Sequence, residues 1–344
     1  MNQRTLSQLL ACAVLGASVC GVYAQPAAPA AGQAPAVGQA PGGAPGAAGA
    51  RAGQAPGRGG MSGFGRMQQI PVGPPAAVPP EVAIPRPSSE ELVKINADLK
   101  KFIETSADKD LLKKFESLLV VQMPRDNSAI RPAADMNISN RNARFIEQMN
   151  SNEFDVIFFG DSITELLGAD ADPQGNPGGK KVMEKYLSGV KFLNQGISGD
   201  STQGVLWRLK NGVGQLAKKP KVIVLMIGTN NNGNNAEEIA EGIGAVILEM
   251  RTDFPDAKII LNGIFPRGAT TTDSNRRKVA QVNSIIAKLD DQKHVFFTDL
   301  TSKMVDAQGA LIGFRKSDNL HPVEEGFDIW ISSVTPIRQL SCYS

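Results

Sequence analysis

Five short apolar runs in the second half of the chain alternate with longer stretches of helical spacing. The runs have the continuous apolar character of buried parallel strands, and they cover residues 155–160, 191–196, 221–228, 257–264 and 294–300. Apolar residues recur every three or four positions over about 203–217, 236–253, 274–290 and 323–338. This alternation predicts a three-layer α/β domain built on a five-stranded, mainly parallel sheet.

Two further helices are predicted before this domain. Ser88 and Glu91 have the spacing of a capping box, and apolar residues follow at helical intervals as far as Ile103. Asp108 is a candidate cap for a second helix, which Pro124 would end. We therefore expect a helical hairpin within an N-terminal extension over residues 88–136. It has two open roles, packing on the following domain or binding a partner.

The first 87 residues are predicted to lie outside any folded core. Residues 1–24 carry one charge, Arg4, followed by an apolar stretch that ends in small residues, which is typical of a signal peptide. Residues 25–87 are rich in Ala, Pro and Gly, and predict a disordered linker because they cannot bury enough apolar surface to offset their ordering entropy. The sequence thus favours an exported protein, periplasmic or secreted; a retained membrane anchor and a lipoprotein are the alternatives.

Charge and cysteine content narrow the possible partners and the redox chemistry. The formal net charge of the 344 residues is +2, which gives no strong electrostatic case for a nucleic-acid partner. Removal of the signal peptide would take Cys12 and Cys20 with it, leaving Cys342 and no intrachain disulfide. No other segment is long and apolar enough to predict an integral membrane span after the signal is removed.

Small and polar residues follow the predicted strands at positions that should share one edge of the sheet. They occupy residues 160–162 after the first strand, 194–200 after the second, 228–231 after the third and 318–322 after the fifth. Ligands of parallel α/β sheets bind at the carboxyl ends of the strands. The chemistry of this protein is therefore expected at this edge.

One of these polar positions, Ser162, is a candidate nucleophile. A nucleophilic serine needs a base within hydrogen-bond reach, and the base needs an orienting carboxylate. Of the two histidines, His294 begins a strand at the opposite edge, so His321 is the candidate base. Asp318 precedes it by three residues, a spacing at which a turn brings the carboxylate to the imidazole. The alternative for Ser162 is a simple helix cap.

The same edge supplies candidate donors for the oxyanion of a tetrahedral intermediate. The backbone N–H groups of Ser162 and Gly199 and the side-chain amide of Asn230 have suitable types and order. Gly160 would allow the sharp turn after the first strand. Gly199 and Asn230 could instead be turn residues, and Asn231–Asn235 is expected to be an ordinary loop.

Several charged and aromatic residues near these positions are interpreted as structural. Asp161 and Asp200 are expected to act as hydrogen-bonding scaffolds for the loops. Trp207 and Arg208 lie in a helical pattern and are interpreted as packing and surface residues. Arg267 has two open roles, at the rim of the substrate pocket or in a structural salt link.

Four short motifs together resemble the blocks of the SGNH, or GDSL, hydrolase family. They are GDSIT, NQGISGD, GTNN and DNLHP, in that order. The segments GISGDSTQGVLWRLKNG, PKVIVLMIGTNNN and FPRG are similar to the catalytic subunits of platelet-activating factor acetylhydrolase and their bacterial relatives. The resemblance covers about residues 137–340, which suggests a catalytic domain over residues 137–344.

This resemblance implies a fold and a set of functional residues. The fold is a flavodoxin-like sheet, and the activity needs no metal or cofactor. Ser162 is implied as the nucleophile, with His321 and Asp318 completing the triad. Gly199 and Asn230 are implied as oxyanion partners.

The predicted function is therefore that of an exported serine esterase working through an acyl-enzyme. The expected substrate is a short-chain, acetyl ester on a small molecule or polysaccharide, because the resemblance is to acetylhydrolases and an exported enzyme meets carbohydrates. Three alternatives stay open. They are hydrolysis of lysophospholipid or other lipid esters, acyl transfer to sugars, and a non-catalytic envelope-binding module.

Overall fold

A computed structural model describes residues 73–171 and 177–334. Its strands are β1 Val156–Gly160, β2 Phe192–Gly196, β3 Val222–Met226, β4 Lys258–Asn262 and β5 Val295–Thr298. They form one sheet in the order β2-β1-β3-β4-β5, and every neighbouring pair is parallel. This is the flavodoxin-like order. The predicted five-stranded α/β fold is confirmed.

The helices occupy the segments between and before the strands. They are α1 Ser89–Thr105, α2 Lys109–Lys114, α3 Glu116–Leu119, α4 Met136–Ser151, α5 Ser162–Leu167, α6 Lys180–Leu187, α7 Thr202–Lys210, α8 Ala236–Asp253, α9 Ser274–Ile286 and α10 Glu324–Val334. Short 3₁₀ turns lie at Ser128–Ile130, Val213–Gln215, Ala287–Leu289 and Thr301–Lys303. The four helical patterns predicted within the domain correspond to α7–α10, and α5 is the helix expected to begin at Ser162, whereas α4 and α6 were not predicted.

Two hydrophobic layers sandwich the sheet. One face packs against apolar residues of α7, α8 and α9, and the other against those of α5, α6 and α10. Trp330 of α10 is fully buried and meets Phe265 edge-on at a ring-centroid distance of 5.0 Å. Strands β1 and β3 are buried along their whole length because both of their faces are covered. The sheet is therefore a rigid support for the loops at its carboxyl edge.

The N-terminal hairpin, which we define as α1, α2 and α3, differs in part from the prediction. The capping box of α1 is present, with Ser88 and Glu91 exchanging hydrogen bonds of 2.8 and 3.2 Å. The second predicted helix is broken at Phe115 into α2 and α3, and Asp108 makes no side-chain cap bond. Ile103 is the one buried residue among those of the hairpin, all of which lie in the described part of the chain.

The predicted disordered linker, residues 25–87, extends too far, because residues 73–87 belong to the folded part of the chain. They pack on the domain instead of continuing as a disordered tether: Val82 is buried, and the Gly73 amide donates to the Pro132 carbonyl at 2.9 Å. Gly244 of α8 explains the contact, since a side chain there would meet Pro79 and Val82. Composition did not reveal this, because the same Pro-rich sequence that disfavours a core can lie along one.

Two arginine–glutamate pairs fix the base of the hairpin to α8. Arg86 makes a bidentate contact with Glu241 at 2.7 Å for each bond, and Arg125 pairs with both oxygens of Glu238. Both glutamate side chains are almost fully buried, and burial of a carboxylate requires such a partner. The pKa of Glu238 is lowered to about 2, chiefly by its hydrogen bonds with Arg125.

Several expectations concern residues outside the described ranges. These are the signal peptide, most of the linker and Cys342. Within residues 73–171 and 177–334, no helix has the length and apolar character needed to cross a bilayer. Over the same residues, no three His, Cys, Asp or Glu side chains gather where they could hold a metal ion.

Candidate active site

The tight connection between β1 and α5 presents Ser162 at the carboxyl edge of the sheet. Gly160 ends β1, and a Cβ there would overlap the Thr164 hydroxyl and stand 2.6 Å from the Met226 carbonyl oxygen. Asp161 caps α5 by accepting the Ile163 amide at 3.0 Å. Because Asp161 is the cap, Ser162 is the first residue of the helix, with its side chain turned to other partners.

Ser162, His321 and Asp318 form a continuous hydrogen-bonded chain. The Ser162 Oγ lies 2.9 Å from the His321 Nε2, and the His321 Nδ1 lies 2.9 Å from the Asp318 Oδ2. The imidazole is mostly buried, with 18% of its side-chain surface exposed. Such a chain can take a proton from the serine hydroxyl and stabilise the imidazolium that results. The structure therefore brings together the three side chains that the sequence singled out.

A compact turn holds the Asp318 carboxylate against the imidazole. Its Oδ1 accepts the amides of Leu320 and His321 at 3.0 and 3.1 Å, and the intervening Asn319 adopts a left-handed φ of 49°. Its Oδ2 also accepts two bonds from Arg315, at 2.9 Å from Nε and 2.5 Å from Nη2. Burial alone would raise the pKa of Asp318, but these hydrogen bonds together hold that pKa well below its ordinary value.

Arg315 is the residue of this site that sequence analysis missed. Besides its bonds to Asp318, its Nη2 lies 3.3 Å from the His321 Nδ1. The guanidinium thus shares one carboxylate oxygen with the imidazole. The only signal in the sequence is its position three residues before Asp318, which one turn can convert into a contact.

The three candidate oxyanion donors lie on three neighbouring strand ends. In the sheet register Gly160 stands beside Gly196 and Met226, so the loops after β1, β2 and β3 begin at one level. Gly199 is exposed and has a φ of +82°, which strongly favours glycine. The Asn230 Nδ2 donates to the Asp200 carbonyl at 2.9 Å, which leaves its second amide proton for another acceptor.

Two buried aspartates support these loops. Asp200 accepts the Ser201 amide at 2.8 Å, and Asp161 caps α5 as described. Burial raises the pKa of Asp161 to about 7 and that of Asp200 to about 6, although the Ile163 amide and Arg208, respectively, act in the opposite direction. Their direct bonds to the loop backbone agree with the interpretation of both as scaffolds.

Arg208 was expected at the surface, and its position is a correction. It is fully buried, with Nη2 2.9 Å from the Asp200 Oδ2 and Nη1 donating to the Gln195 carbonyl at 2.9 Å. The guanidinium also stacks over the Phe159 ring. A charged residue in a helical pattern normally faces solvent, but here a buried carboxylate provides a partner. Trp207 is half-buried against a small apolar cluster, as a packing residue should be.

Arg267 joins the loops after β3 and β4. Its Nη1 donates to the carbonyl and hydroxyl oxygens of Thr229 at 3.0 and 3.1 Å. Its positive charge also acts on the buried Asp161, whose pKa it helps to lower. Arg267 and Thr229 also line a shallow cleft of about 270 Å³, including the solvent at its mouth.

The segment Asn231–Asn235 is held by more side-chain hydrogen bonds than the ordinary loop that was expected. Asn231 is buried and donates to the Thr202 hydroxyl at 2.9 Å and to the Gln203 side chain at 2.8 Å. Asn235 begins α8 as its cap in a second capping box. These bonds fix the segment that follows Asn230.

The chain is similar to known proteins over the region that contains this site. The model of the GDSL-like Lipase/Acylhydrolase family matches residues 158–329, which include every candidate residue from Ser162 to His321. Platelet-activating factor acetylhydrolase IB subunit alpha2 from Homo sapiens is 38% identical over 54% of this chain and 76% of the relative. Subunit alpha1 from Homo sapiens is 32% identical over 54% and 75%, respectively.

A solved structure is similar in fold. It is described as a putative platelet activating factor from Streptococcus pneumonia, with 22% sequence identity and a TM-score of 0.47. The similarity covers 59% of this chain and 92% of that structure.

Proposed function

We propose that Ser162, His321 and Asp318 are the catalytic triad of this enzyme, from the premise that the chain belongs to the GDSL-like lipase/acylhydrolase family and hydrolyses esters. The observation that carries the proposal is the chain of two 2.9 Å hydrogen bonds from Ser162 through His321 to Asp318. A helix cap would not need a histidine at this distance from its hydroxyl.

The geometry supports a two-step mechanism. The Ser162 Oγ attacks the ester carbonyl carbon while its proton passes to the His321 Nε2. The oxyanion of the tetrahedral intermediate accepts hydrogen bonds from the Ser162 N–H, the Gly199 N–H and the Asn230 side chain. The intermediate collapses as His321 protonates the leaving alcohol, and an acyl-enzyme remains.

Water completes the cycle by the reverse sequence of proton transfers. His321 takes a proton from water, whose oxygen attacks the acyl carbon, and then returns the proton to the Ser162 Oγ as the acid leaves. Asp318 keeps the His321 Nδ1–H oriented in both steps. Its lowered pKa keeps this carboxylate ionised throughout the neutral range.

The proposed substrate is an acetyl ester on a carbohydrate. The acetyl group is supported by the name of the relatives, which are acetylhydrolases. The carbohydrate is supported by exposed polar groups in the loops around Ser162, among them Ser198 and Asn232. Proposed export, inferred from the composition of residues 1–24, would bring the enzyme to polysaccharides.

A lipid ester is the second candidate, and one observation favours it. The hairpin exposes large apolar side chains, with Leu111, Phe115 and Leu118 exposed by 56%, 49% and 79%. Its base is fixed to α8, the helix that begins a few residues after Asn230. An apolar surface attached to the loop of the active site would suit a substrate held in a lipid phase.

Hydrolysis of p-nitrophenyl esters with acyl chains of two to twelve carbons tests these proposals. We expect the acetate to be preferred, and Ser162→Ala to lower kcat by at least about 10⁴-fold. Ser284→Ala, which removes an exposed hydroxyl from α9, is the matched control and should keep full activity. Substantial activity in folded Ser162→Ala would contradict the triad.

A second assay, which measures released acetate, compares the two candidates for the alcohol part of the substrate, a sugar and a lipid. Acetylated xylo-oligosaccharides and an acetylated glycerolipid in mixed micelles are compared at equal ester concentration. A higher kcat/KM on the oligosaccharide supports the proposal, and a higher value on micelles supports the lipid candidate. Acetate that appears on an added sugar instead of in water would indicate acyl transfer.

A further inference from the structure

Glu165 joins the helix of Ser162 to the loop of Gly199. It lies on α5, and its Oε2 accepts the Ser198 amide at 2.7 Å and the Ser198 hydroxyl at 2.5 Å. Ser198 is the residue directly before Gly199. One carboxylate oxygen therefore holds the backbone of the loop next to the N–H that is proposed to receive the oxyanion.

The other oxygen of Glu165 binds Arg141, which comes from a helix before the family match. Arg141 of α4 donates from Nη1 to Glu165 Oε1 at 2.7 Å and from Nη2 to the Gly196 carbonyl at 3.2 Å. Its guanidinium also packs over the ring of Phe145, one turn along α4. Arg141 thus contacts both α5 and Gly196, the last residue of β2, so that α4 contributes to this arrangement.

Close packing fixes the start of the same loop to α5. The Asn194 side chain donates to the Thr164 carbonyl at 2.6 Å and accepts the Gly196 amide at 2.8 Å. A Cβ at Gly196 would collide with the backbone of Thr164 and Glu165. The Gly199 position itself is open, because the residue is exposed and no atom outside its chain neighbours lies within 4 Å of the position of its missing Cβ.

We propose that Glu165, with Arg141 as its counterion, is a positioning residue that sets the Gly199 N–H relative to the Ser162 Oγ. This inference rests on the proposed oxyanion role of Gly199. The carboxylate acts through Ser198 and touches neither the substrate nor the reacting atoms. An oxyanion donor works only when it is held at hydrogen-bond distance before the charge develops, and this contact supplies that restraint.

The charge state of Glu165 is consistent with this role. Burial would raise its pKa, but the bonds from Ser198 and Arg141 hold that pKa below the ordinary value. The side chain therefore remains an acceptor for both partners at neutral pH. Because Glu165 and Arg141 are only 28% and 30% exposed, removing either partner also costs stability. The rate and the melting temperature must therefore be measured on the same variants.

The test compares full-length Glu165→Ala and Glu165→Gln with the unaltered enzyme. The measurements are kcat and KM for p-nitrophenyl acetate, the melting temperature, and the Ki of phenylboronic acid, which binds a serine as a tetrahedral adduct. The matched control is Glu249→Ala, which breaks a similarly exposed pair with Lys210 on the far part of α7 and α8. Glutamine keeps one acceptor oxygen, so Glu165→Gln should fold even where alanine does not.

We expect Glu165→Ala to lower kcat by about 10- to 100-fold, since a small displacement of a catalytic group has an effect of this size. KM should change by less than about threefold, and the Ki of the boronic acid should rise in parallel with the loss of kcat. The kcat of Glu165→Gln should lie between those of the unaltered enzyme and Glu165→Ala. The kcat of Glu249→Ala should stay within about twofold of that of the unaltered enzyme.

The proposal is overturned if both Glu165 variants keep kcat within the range of Glu249→Ala. It is also overturned if their loss is confined to KM or to the melting temperature. Failure of the underlying function has a different signature, since Ser162→Ala or Asn230→Ala would then keep their activity. A folded, inactive Ser162→Ala beside fully active Glu165 variants would reject the positioning role alone.

Discussion

Two regions of the molecule reverse the usual relation between residue type and burial. At the carboxyl edge of the sheet, Asp161, Asp200 and Arg208 are buried with exposures of 1%, 0% and 0%. In the hairpin, Leu111 and Leu118 are exposed by 56% and 79%. The first region uses charged groups as internal supports for loops, and the second leaves apolar groups in contact with solvent.

The difference follows from how each region is held. The edge loops leave rigid, fully covered strands, so that buried charged groups such as Asp200 and Arg208 find a partner fixed in advance. The hairpin is attached mainly at its base, through Arg86 and Arg125, and buries one residue of its own, Ile103. Substitutions should therefore be costly in the first region and tolerated in the second.

Arg208→Leu should give the largest effect on stability. It leaves the Asp200 carboxylate buried without a counter-charge, and we expect the free energy of unfolding to fall by about 3–5 kcal/mol. Urea denaturation followed by circular dichroism measures the change. Lys218→Leu, which removes an exposed partner of Glu153, is the control and should change stability by less than about 1 kcal/mol. A loss below that value in Arg208→Leu would remove the contrast between the regions.

Stability should also depend on pH through Asp161. Its pKa rises from 3.8 to about 7 on folding, so between these values the unfolded chain binds fewer protons than the folded one. The free energy of unfolding must then decrease as pH rises through this window, and Asp200 acts in the same direction up to about pH 6. Asp318 and Glu238 have lowered pKa values. The stability that their ionised carboxylates contribute is therefore lost only in more acidic solution, where they become protonated.

We expect Asp161→Asn to flatten this dependence by about 3 kcal/mol between pH 5 and pH 8. Asparagine keeps the cap of α5, which makes it a conservative test of the charge alone. The measurement is urea denaturation at several pH values. An unaltered slope in Asp161→Asn would show that the carboxylate is not the titrating group.

The smallest effect is expected in the hairpin. Leu118→Ala should change the free energy of unfolding by less than about 0.5 kcal/mol and leave kcat on p-nitrophenyl acetate unchanged. Ile103→Ala, at the buried position of the same hairpin, should lower stability by about 2 kcal/mol if the hairpin unfolds with the domain. A loss of about 2 kcal/mol in both variants would mean that Leu118 is covered in solution.

The sequence predicted the sheet well because parallel strands leave a strong apolar signal. All five strands lie within the predicted runs, and the register brings their carboxyl ends to one edge as expected. The positions of Ser162, Asp318 and His321 at that edge follow from the same pattern. The inward face of helix α4, which was missed, is interrupted by one polar residue, since Asn142 is buried and bonds to the Asn211 carbonyl.

The residues that sequence analysis misplaced or missed share one property. Arg208, Arg315 and Glu165 are charged side chains whose role depends on a partner distant in space or across a turn. A periodic pattern assigns such residues to the surface, because it contains no information about the partner. Residues 73–87 escaped prediction for a related reason, since their anchor is Gly244 of α8.

The contact of Arg315 with the carboxylate has a consequence for how ionic strength affects the reaction. With a neutral imidazole, the cluster of Arg315, Asp318 and His321 has no formal charge. Proton transfer from Ser162 to His321 adds one positive charge to this cluster, and the oxyanion adds one negative charge beside it. The net charge of these groups, including the oxyanion, is then zero in both the ground state and the transition state. Added salt should therefore change their relative free energies little, and the rate on an uncharged ester should be nearly independent of salt concentration.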